Sequence, residues 1–332
     1  MGVTAIPGTE AGAAGLETLR GPLTGYCYRM LGAAGEVDDA VQETMLRAYR
    51  SLHRYDPARA GFSTWVHTIA TNVCLDMLRG ARCRALPWDL GPAATTGELG
   101  APWPPSAWVE PMADSRLLHA ADSGAPVDPA DLAVRRESVR LAFVAALQWL
   151  PPRQRAVLIL RDVLRFTAAE TAQILDSSIA STNSALQRAR ATLDGHRPAP
   201  ADAPDVGDPQ QRDLLSSYVR AFEAHDIDGL VALLAEDVRS GMPPFVWWLH
   251  GPGAIAAAMS AGDACAGDRL VLGATANGSP TLGQYRPDQG GALRPFALLL
   301  LELRGNVVAQ IVTFLGCGDR FPDFGLPRSL ER

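Results

Sequence analysis

The stretch that decides the fold is DDAVQETMLRAYR, residues 38–50. Apolar residues recur through and around it at helical spacing, which predicts a helix with one buried face formed by Val37, Val41, Met45, Ala48 or Tyr49, and Leu52. Acidic residues occupy its first turn, where they suit the positive end of the helix dipole. The opposite face is polar and charged and carries Asp39, Gln42, Glu43, Arg47 and Arg50. Taken alone, such a face is typical of a solvated surface.

A basic loop and a second helix follow this stretch. Residues 54–61, RYDPARAG, contain Asp-Pro and Gly and predict a break. Residues 62–72, FSTWVHTIATN, predict a new helix with Ser63 as its N-cap. An aromatic ring, an amide and arginines beside a basic loop suit single-stranded nucleic acid, because bases stack on rings and cations neutralise the backbone. The alternative is that Trp65 is a core tryptophan.

A second helical segment has the pattern of a DNA-binding motif. Residues 167–170, TAAE, form a predicted capping box, and Asp176-Ser177-Ser178 predicts a turn. The helix that follows, residues 179–193, has a polar outer face of Ser, Asn, Gln and Arg. A short helix, a tight turn and a longer polar-faced helix are typical of a helix-turn-helix, in which such side chains read bases or hold phosphates. An ordinary helical hairpin is the alternative.

Charge and proline content divide the chain into parts. Residues 1–197 contain 20 arginines and 20 acidic residues, whereas residues 198–332 contain 10 arginines and 16 acidic residues, so the second part carries the whole net charge of −6. Acidic, proline-rich residues 85–134 predict a linker, and residues 197–210 predict another. The remaining predicted parts are a disordered N-terminus over 1–15, helical modules over 16–84 and 135–196, and a third domain over 211–332.

Composition excludes several classes of protein. A hydrophobic share of 47% is enough for a core, yet the longest obvious apolar run, residues 296–301, is too short to cross a bilayer. Residues 1–19 contain no basic residue, so we expect no secretory signal. Five cysteines without a C-x-x-C pair argue against a disulfide framework or zinc finger and fit a reducing cytoplasm. We therefore expect a cytoplasmic protein without a metal or cofactor.

The third domain combines helix and strand patterns. Its first part has helical spacing that is interrupted near Asp226. Later stretches have the composition of strands, over residues 270–276, 281–286, 296–303 and 307–315, and Gly305-Asn306 predicts a hairpin turn. Helices followed by a curved antiparallel sheet predict an α+β cone. The predicted fold class is thus two all-α modules followed by an α+β domain.

In this order, the two helical modules resemble an extracytoplasmic-function (ECF) sigma factor of bacterial RNA polymerase. Residues 38–50 are similar to the region 2 helix that grips the β′ clamp helices, and residues 62–72 to the element that opens and captures the −10 strand. Residues 150–155 and 184–190 are similar to region 4, which reads the −35 element. The resemblance covers about residues 16–196. It implies a non-enzymatic chain that binds core polymerase, including the β flap, and promoter DNA.

The resemblance also implies three sets of contact residues. Those facing the polymerase would be Asp39, Gln42, Glu43 and Arg47. Those meeting the −10 strand would be Arg54, Tyr55, Arg59, Phe62, Ser63, Trp65 and Asn72. Those entering the −35 major groove would be Ser181, Asn183, Ser184, Gln187, Arg188 and Arg190. Two departures from the family pattern are Arg165, where glycine is common, and Ser181-Thr182, which replace a small residue and valine.

The third domain resembles the SnoaL-like domain that follows certain ECF sigma factors, and this implies regulation in cis. A pocket lined by Phe245, Trp247, Trp248 and His250 would suit a small ligand. One alternative is a ligand-sensing helix-turn-helix regulator without sigma function. Another is an enzyme of the polyketide-cyclase or isomerase type, with an acid–base group among His225, Asp226, Asp237, His250 and Tyr285.

Overall fold

The computed structural model describes residues 9–80, 83–95, 97–118, 134, 136–196, 208–261 and 265–331. The chain divides into two compact units. The first contains residues up to 84, 109–111 and 115–198, and the second contains residues 85–108, 112–114 and 199–332. Helices build the first unit, and helices with one sheet build the second, which confirms the predicted fold class. Parts of the predicted N-terminus and of both linkers (1–8, 119–133 and 197–207) lie outside the described residues.

The first helical module contains α1 (Thr9–Thr18), α2 (Arg20–Leu31), α3 (Ala34–Ser51) and α4 (Phe62–Met77). Its core comes from α2 and from the buried faces of α3 and α4, including Val37, Val41, Val66 and Val73. Residues 9–15 are helical, which differs from the predicted disorder. Gly12 allows this packing, because a Cβ there would lie 2.3 Å from the Leu52 side chain.

Two short helices lie between the helical modules in the chain, α5 (Pro87–Leu90) and α6 (Asp114–Leu117). The second module contains α7 (Leu141–Gln148), α8 (Pro152–Leu158), a π-helical turn (Ile159–Val163), α9 (Ala168–Ile174) and α10 (Ile179–Asp194). Thr167 caps α9 through a reciprocal capping box with Glu170, as the sequence predicts. Helices α9 and α10 form the helix-turn-helix.

Buried arginines join the two helical modules within the first unit. Arg29 of α2 donates to the Ser138 hydroxyl, with Nη2–Oγ at 2.8 Å, and to the Gly25 carbonyl at 2.7 Å. Arg155 of α8 donates to the Met30 carbonyl, close to the C-terminus of α2. The last carbonyls of a helix have no partner inside it, so a guanidinium satisfies groups that burial would otherwise leave without hydrogen bonds.

The second unit is a cone of helices on a curved sheet. Its helices are α11 (Pro209–Glu223), α12 (Ile227–Val231) and α13 (Pro252–Ser260). Its strands are β1 (Leu234–Gly241), β2 (Trp248–His250), β3 (Arg269–Leu272), β4 (Thr281–Pro287), β5 (Leu293–Arg304) and β6 (Val307–Leu315). They lie in the order β2-β1-β6-β5-β4-β3, and β1 pairs in parallel with β6. A core that includes Tyr218, Phe222, Leu299 and Ile311 fills the cone.

Residues 85–108 pack as part of the second unit, whereas the sequence predicts a flexible linker there. Ala85 and Trp108 form a β-bridge, which closes this segment into a loop. Apolar side chains explain the difference: Leu86 is fully buried and Trp108 is 3% exposed. The proline and acidic content of residues 85–108 predicts a linker, whereas buried apolar side chains such as Leu86 and Trp108 pack the segment into the second unit.

Candidate nucleic-acid and polymerase interfaces

The outer face of α3 presents apolar side chains among polar ones. Asp39, Gln42 and Arg47 are exposed and Glu43 is half-buried, with the Arg47 guanidinium 2.6 Å from the Glu43 carboxylate. Leu46 and Tyr49 lie beside them and are 42% and 57% exposed. Large apolar side chains that are exposed together on a helix are typical of a contact surface. Helical spacing alone left open whether Ala48 or Tyr49 faced the core, and Ala48 is the buried one.

Three aromatic rings form a cluster where the basic loop meets α4. Ring centroids are 5.2 Å apart for Tyr55 and Phe62, 5.3 Å for Tyr55 and Trp65, and 5.8 Å for Phe62 and Trp65. All three rings are half-buried, so Trp65 is not a sealed core residue. Burial raises the pKa of Tyr55, and the neighbouring Asp56 charge adds to the shift. The cluster therefore offers neutral ring surface to solvent.

The basic loop presents two arginine side chains to solvent. Arg54 and Arg59 are exposed, and Ser63 lies in the first turn of α4. The expectation that Ser63 is the N-cap differs from the structure, in which Gly61 is the N-cap and the Ser63 carbonyl contacts His67 Nδ1 at 2.8 Å. The N-cap lies two residues earlier than predicted because the backbone is already extended at Gly61 and becomes helical at Phe62.

Asn72 lines a cavity of about 300 Å³ between α3 and α4. The other lining residues are Arg47, Arg50, Ser51 and Ile69. An amide and two arginines around a small opening can donate hydrogen bonds to a base edge or a phosphate. The structure thus brings Asn72 together with arginines of the α3 face, whereas Trp65 belongs to the aromatic cluster.

The outer face of α10 is polar and open. Ser178 caps the helix at the backbone N–H of Ser181. All six predicted reading residues are exposed, namely Ser181, Asn183, Ser184, Gln187, Arg188 and Arg190. Arg190 differs from the other five in its ion pair, because its guanidinium donates to both carboxylate oxygens of Asp162 at 2.9 and 2.6 Å. Arg188 is therefore the more available arginine of this face.

The two departures from the family pattern have local causes. Arg165 has a φ of 61°, the left-handed conformation that glycine adopts without strain, which explains why a glycine suits this position. Thr182 is buried at 1% exposure, and its hydroxyl oxygen has no hydrogen-bond partner among the described residues. A valine would fill the same space without a polar group.

Comparisons with known proteins match both modules. The Sigma-70 region 2 family model matches residues 16–83, and the Sigma-70, region 4 model matches residues 140–193. The ECF RNA polymerase sigma factor SigG of Mycobacterium tuberculosis H37Rv is 43% identical over 323 residues, which cover 95% of this chain and 83% of that protein. The chain belongs to the ECF sigma factors.

SigJ of M. tuberculosis is a further similar protein, in sequence and in fold. SigJ of the same strain is 30% identical over 222 residues, which cover 67% of this chain and 62% of that protein. The crystal structure of M. tuberculosis SigJ is similar in fold, with a TM-score of 0.56 at 22% identity over 95% of this chain and 99% of that one. A helix-turn-helix regulator that lacks sigma function is not favoured, because region 2 matches as well.

Trp248, one of the residues predicted to line a pocket in the third domain of the sigma factor, contacts residues of the 85–108 segment. Trp248 donates its indole N–H to the Gly91 carbonyl at 2.9 Å, and its ring contacts Trp88 with centroids 6.4 Å apart. Phe245 and Trp247 are half-buried, and His250 is exposed. Local sequence patterns could not predict these contacts, because the partners are more than 150 residues apart in the chain.

The predicted acid–base candidates of the third domain mostly have structural roles. Asp226 caps α12 by accepting from Gly229 N at 2.9 Å, and Asp237 pairs with Arg304. Tyr285 donates to the Pro327 carbonyl at 2.7 Å, and burial raises its pKa to about 12. His225 is half-buried, with a buried Nδ1 that lacks a partner among the described residues. Within the described part of the chain, no group of three His, Cys, Asp or Glu side chains could hold a metal.

Proposed function

We propose that this sigma factor docks on core RNA polymerase through the outer face of α3, with the β′ clamp helices as the partner. The face combines charged groups that steer association with Leu46 and Tyr49 as apolar anchors. Their exposure is the observation that carries the proposal, since a solvated helix gains nothing from two large exposed apolar side chains. Region 4 would contact the β flap in the same complex.

The aromatic cluster and its basic loop would capture the −10 strand. Stacking on a ring contributes about 1–3 kcal/mol per base, which offsets the cost of unstacking that base from the duplex. The half-buried rings of Tyr55, Phe62 and Trp65 and the exposed Arg54 and Arg59 support this role. Asn72, in its cavity beside Arg50, would contact the same strand.

The outer face of α10 would read the −35 element in the major groove. Asn183 and Gln187 can recognise adenine, Ser181 and Ser184 can pair with several bases, and Arg188 can recognise guanine or hold a phosphate. Arg190 would hold α10 in place through Asp162 and reach DNA only as a secondary contact.

Reconstituted transcription tests this assignment. Core polymerase with the full chain should initiate at defined promoters selected from a pool of genomic fragments. Trp65→Ala should weaken initiation roughly 5- to 100-fold, the equivalent of one lost stacking contact. The matched control is Trp149→Ala, which removes an exposed tryptophan that stacks on His196 away from the aromatic cluster. Equal activity of the two variants, or no promoter-dependent transcript from the wild type, would contradict the proposal.

We further propose that the third domain regulates transcription in cis by holding the linker, and that it is not an enzyme. Residues 85–108 could span about 80 Å if extended. The Ala85–Trp108 bridge instead brings their ends to within about 5 Å. Docking therefore shortens the connection between the −10 and −35 modules, and release of this loop from the cone would lengthen it.

A glycine pair provides a matched test of this regulation. A Cβ on Gly241 would lie 2.9 Å from the Pro87 side chain, whereas a Cβ on Gly253 would meet nothing within 4 Å. Gly241→Ala should loosen the docked linker and change promoter activity in the same direction as removal of residues 200–332, and Gly253→Ala should not. Wild-type activity from both Gly241→Ala and the truncation would reject the proposal.

A further inference from the structure

A cluster of polar side chains lies against the apolar core of the second unit. Its centre is the Asp268 carboxylate, just before β3, which is 1% exposed. Asp268 accepts from the Gln284 amide and from the Arg286 guanidinium of β4, with Nε–Oδ1 at 3.0 Å and Nη2–Oδ2 at 2.8 Å. A buried carboxylate is costly unless it is paired and hydrogen-bonded, and these bonds meet that need. Since Arg286 neutralises Asp268, the cluster carries no net charge.

The Cys265 thiol and the Tyr218 phenol of α11 border the same cluster. Cys265 Sγ lies 3.5 Å from Gln284 Nε2 and 3.9 Å from Arg286 Nη2. Burial raises the pKa of Tyr218, and the neighbouring Cys265 adds to the shift. The phenol therefore stays protonated, so its hydroxyl can donate a hydrogen bond.

Three polar atoms of this cluster have no hydrogen-bond partner among the described residues. Tyr218 is 3% exposed, yet its hydroxyl has none. Gln284 is also 3% exposed and uses only its Nε2, which leaves Oε1 open. Arg286 bonds through Nε and Nη2 and leaves Nη1 open. A structural tie between β3 and β4 explains the bonds to Asp268, but it does not explain open polar atoms on two buried side chains, because buried polar groups are nearly always satisfied.

The open side of the cluster combines a fixed donor with apolar surface. The Arg286 guanidinium carbon lies 3.5 Å from the centroid of the Phe296 ring of β5, which fixes the guanidinium. The Arg286 side chain is 39% exposed, so a small molecule can approach it. Two open donors and one open acceptor beside an apolar core suit a neutral ligand with a carbonyl oxygen. An anion would also approach the Asp268 carboxylate, and like charges repel.

We propose that this cluster binds a small neutral molecule that has an apolar body and a carbonyl oxygen, with Tyr218 and Arg286 as the donors to that oxygen. The site differs from the predicted pocket around Trp247 and His250. The ligand is the signal that the third domain senses. This inference deepens the proposed regulation in cis, and the effect of the ligand on transcription rests on that proposal, whereas binding does not.

Saturation-transfer NMR on the full chain, without polymerase, tests the site with three probes of similar size. Acetophenone carries the carbonyl, ethylbenzene lacks the oxygen, and benzoate carries a negative charge. Acetophenone should bind more tightly than either of the others. Tyr218→Phe removes a hydroxyl that makes no hydrogen bond to a described residue, so the fold should persist. Tyr285→Phe is the matched control, because its hydroxyl donates to the Pro327 carbonyl instead.

Tyr218→Phe should weaken acetophenone binding about two- to tenfold, the equivalent of one hydrogen bond, and leave ethylbenzene binding unchanged. Tyr285→Phe should change neither. Acetophenone should also slow the labelling of half-buried Cys265 by N-ethylmaleimide, but not that of exposed Cys83 in the first unit.

Three outcomes would overturn the proposal. They are no acetophenone binding, as expected if ordered water alone satisfies the cluster, tighter binding of benzoate than of acetophenone, and an equal loss of acetophenone binding in the two phenylalanine variants. These measurements need neither polymerase nor DNA, so their failure would leave the proposed function intact. Promoter-dependent transcription by the wild type with core polymerase tests that function separately.

Discussion

Removal of the Arg155 guanidinium should strongly destabilise the first unit. Arg155 is 3% exposed and donates to four oxygen atoms. Two belong to Gln148, its Oε1 at 2.6 Å and its carbonyl at 2.9 Å. The others are the carbonyls of Met30 and of Leu150, the latter at 3.2 Å. Hydrogen bonds to a charged group contribute about 1.5–3 kcal/mol each. Burial opposes them, since desolvation lowers the pKa of Arg155 to about 10. Removing the guanidinium would leave several buried oxygen atoms without a donor, at a cost of about 1–3 kcal/mol each, so Arg155→Ala should lose at least about 3 kcal/mol.

Native-state hydrogen exchange on the full chain measures this loss locally. The free energy of opening should fall in residues 20–31 and 152–158 and stay unchanged in the strands of the second unit. Arg153→Ala is the matched control, because Arg153 is exposed and donates only to the Leu175 carbonyl among the described residues. We expect it to lose less than about 1.5 kcal/mol. If the two alanine variants differ by less than about 1 kcal/mol, the buried guanidinium does not join the modules as we argue.

Three further predictions concern single side chains. Thr182→Val should stabilise the first unit by about 1 kcal/mol in thermal unfolding, because it removes a buried hydroxyl without a described partner; destabilisation would show that this hydroxyl is satisfied. Burial lowers the pKa of His67, so the folded state disfavours its protonated form. The free energy of unfolding should therefore be constant above pH ~6.5 and fall below it. In urea titrations at pH 7.5 and 5.5, His67→Gln should reduce the difference in stability between the two pH values. Arg188→Ala should weaken binding of the holoenzyme to −35 duplex about 5- to 100-fold, the cost of a lost base contact. Arg190→Ala should instead lower the melting temperature of the first unit. If Arg188→Ala and Arg190→Ala gave the same footprint and the same melting temperature, both the DNA-contact role of Arg188 and the structural role of Arg190 would be contradicted.

The sequence predicted the elements whose local pattern and tertiary environment agree. Helix α3 follows its apolar spacing, α9 begins at its capping box, and the β5–β6 hairpin turns at Gly305, which has a φ of 59°. These features depend on residues a few positions apart, so a single sequence contains the information that specifies them. The order of the motifs along the chain then indicated the family, which the match to SigG confirms.

Other features depend on residues far apart in the chain and could not be predicted. Strand β1 contains Glu236, Asp237 and Arg239 and lacks strict alternation, so nothing local distinguishes it from a loop. Arginine is usually exposed, which concealed the role of Arg29 and Arg155 at the junction of the modules. The packing of residues 85–108 required the cone as a partner, and a composition rich in proline and acidic residues predicts a linker when that partner is unknown.

Footprinting of the reconstituted holoenzyme on a single promoter fragment tests the central claim most directly. The two modules should protect the −35 element and expose reactive unpaired bases at the −10 element on the same DNA molecule. Trp65→Ala should lose the reactive bases and keep the −35 protection. Protection of one element only, or −10 opening that is unaffected by Trp65→Ala, would contradict the account.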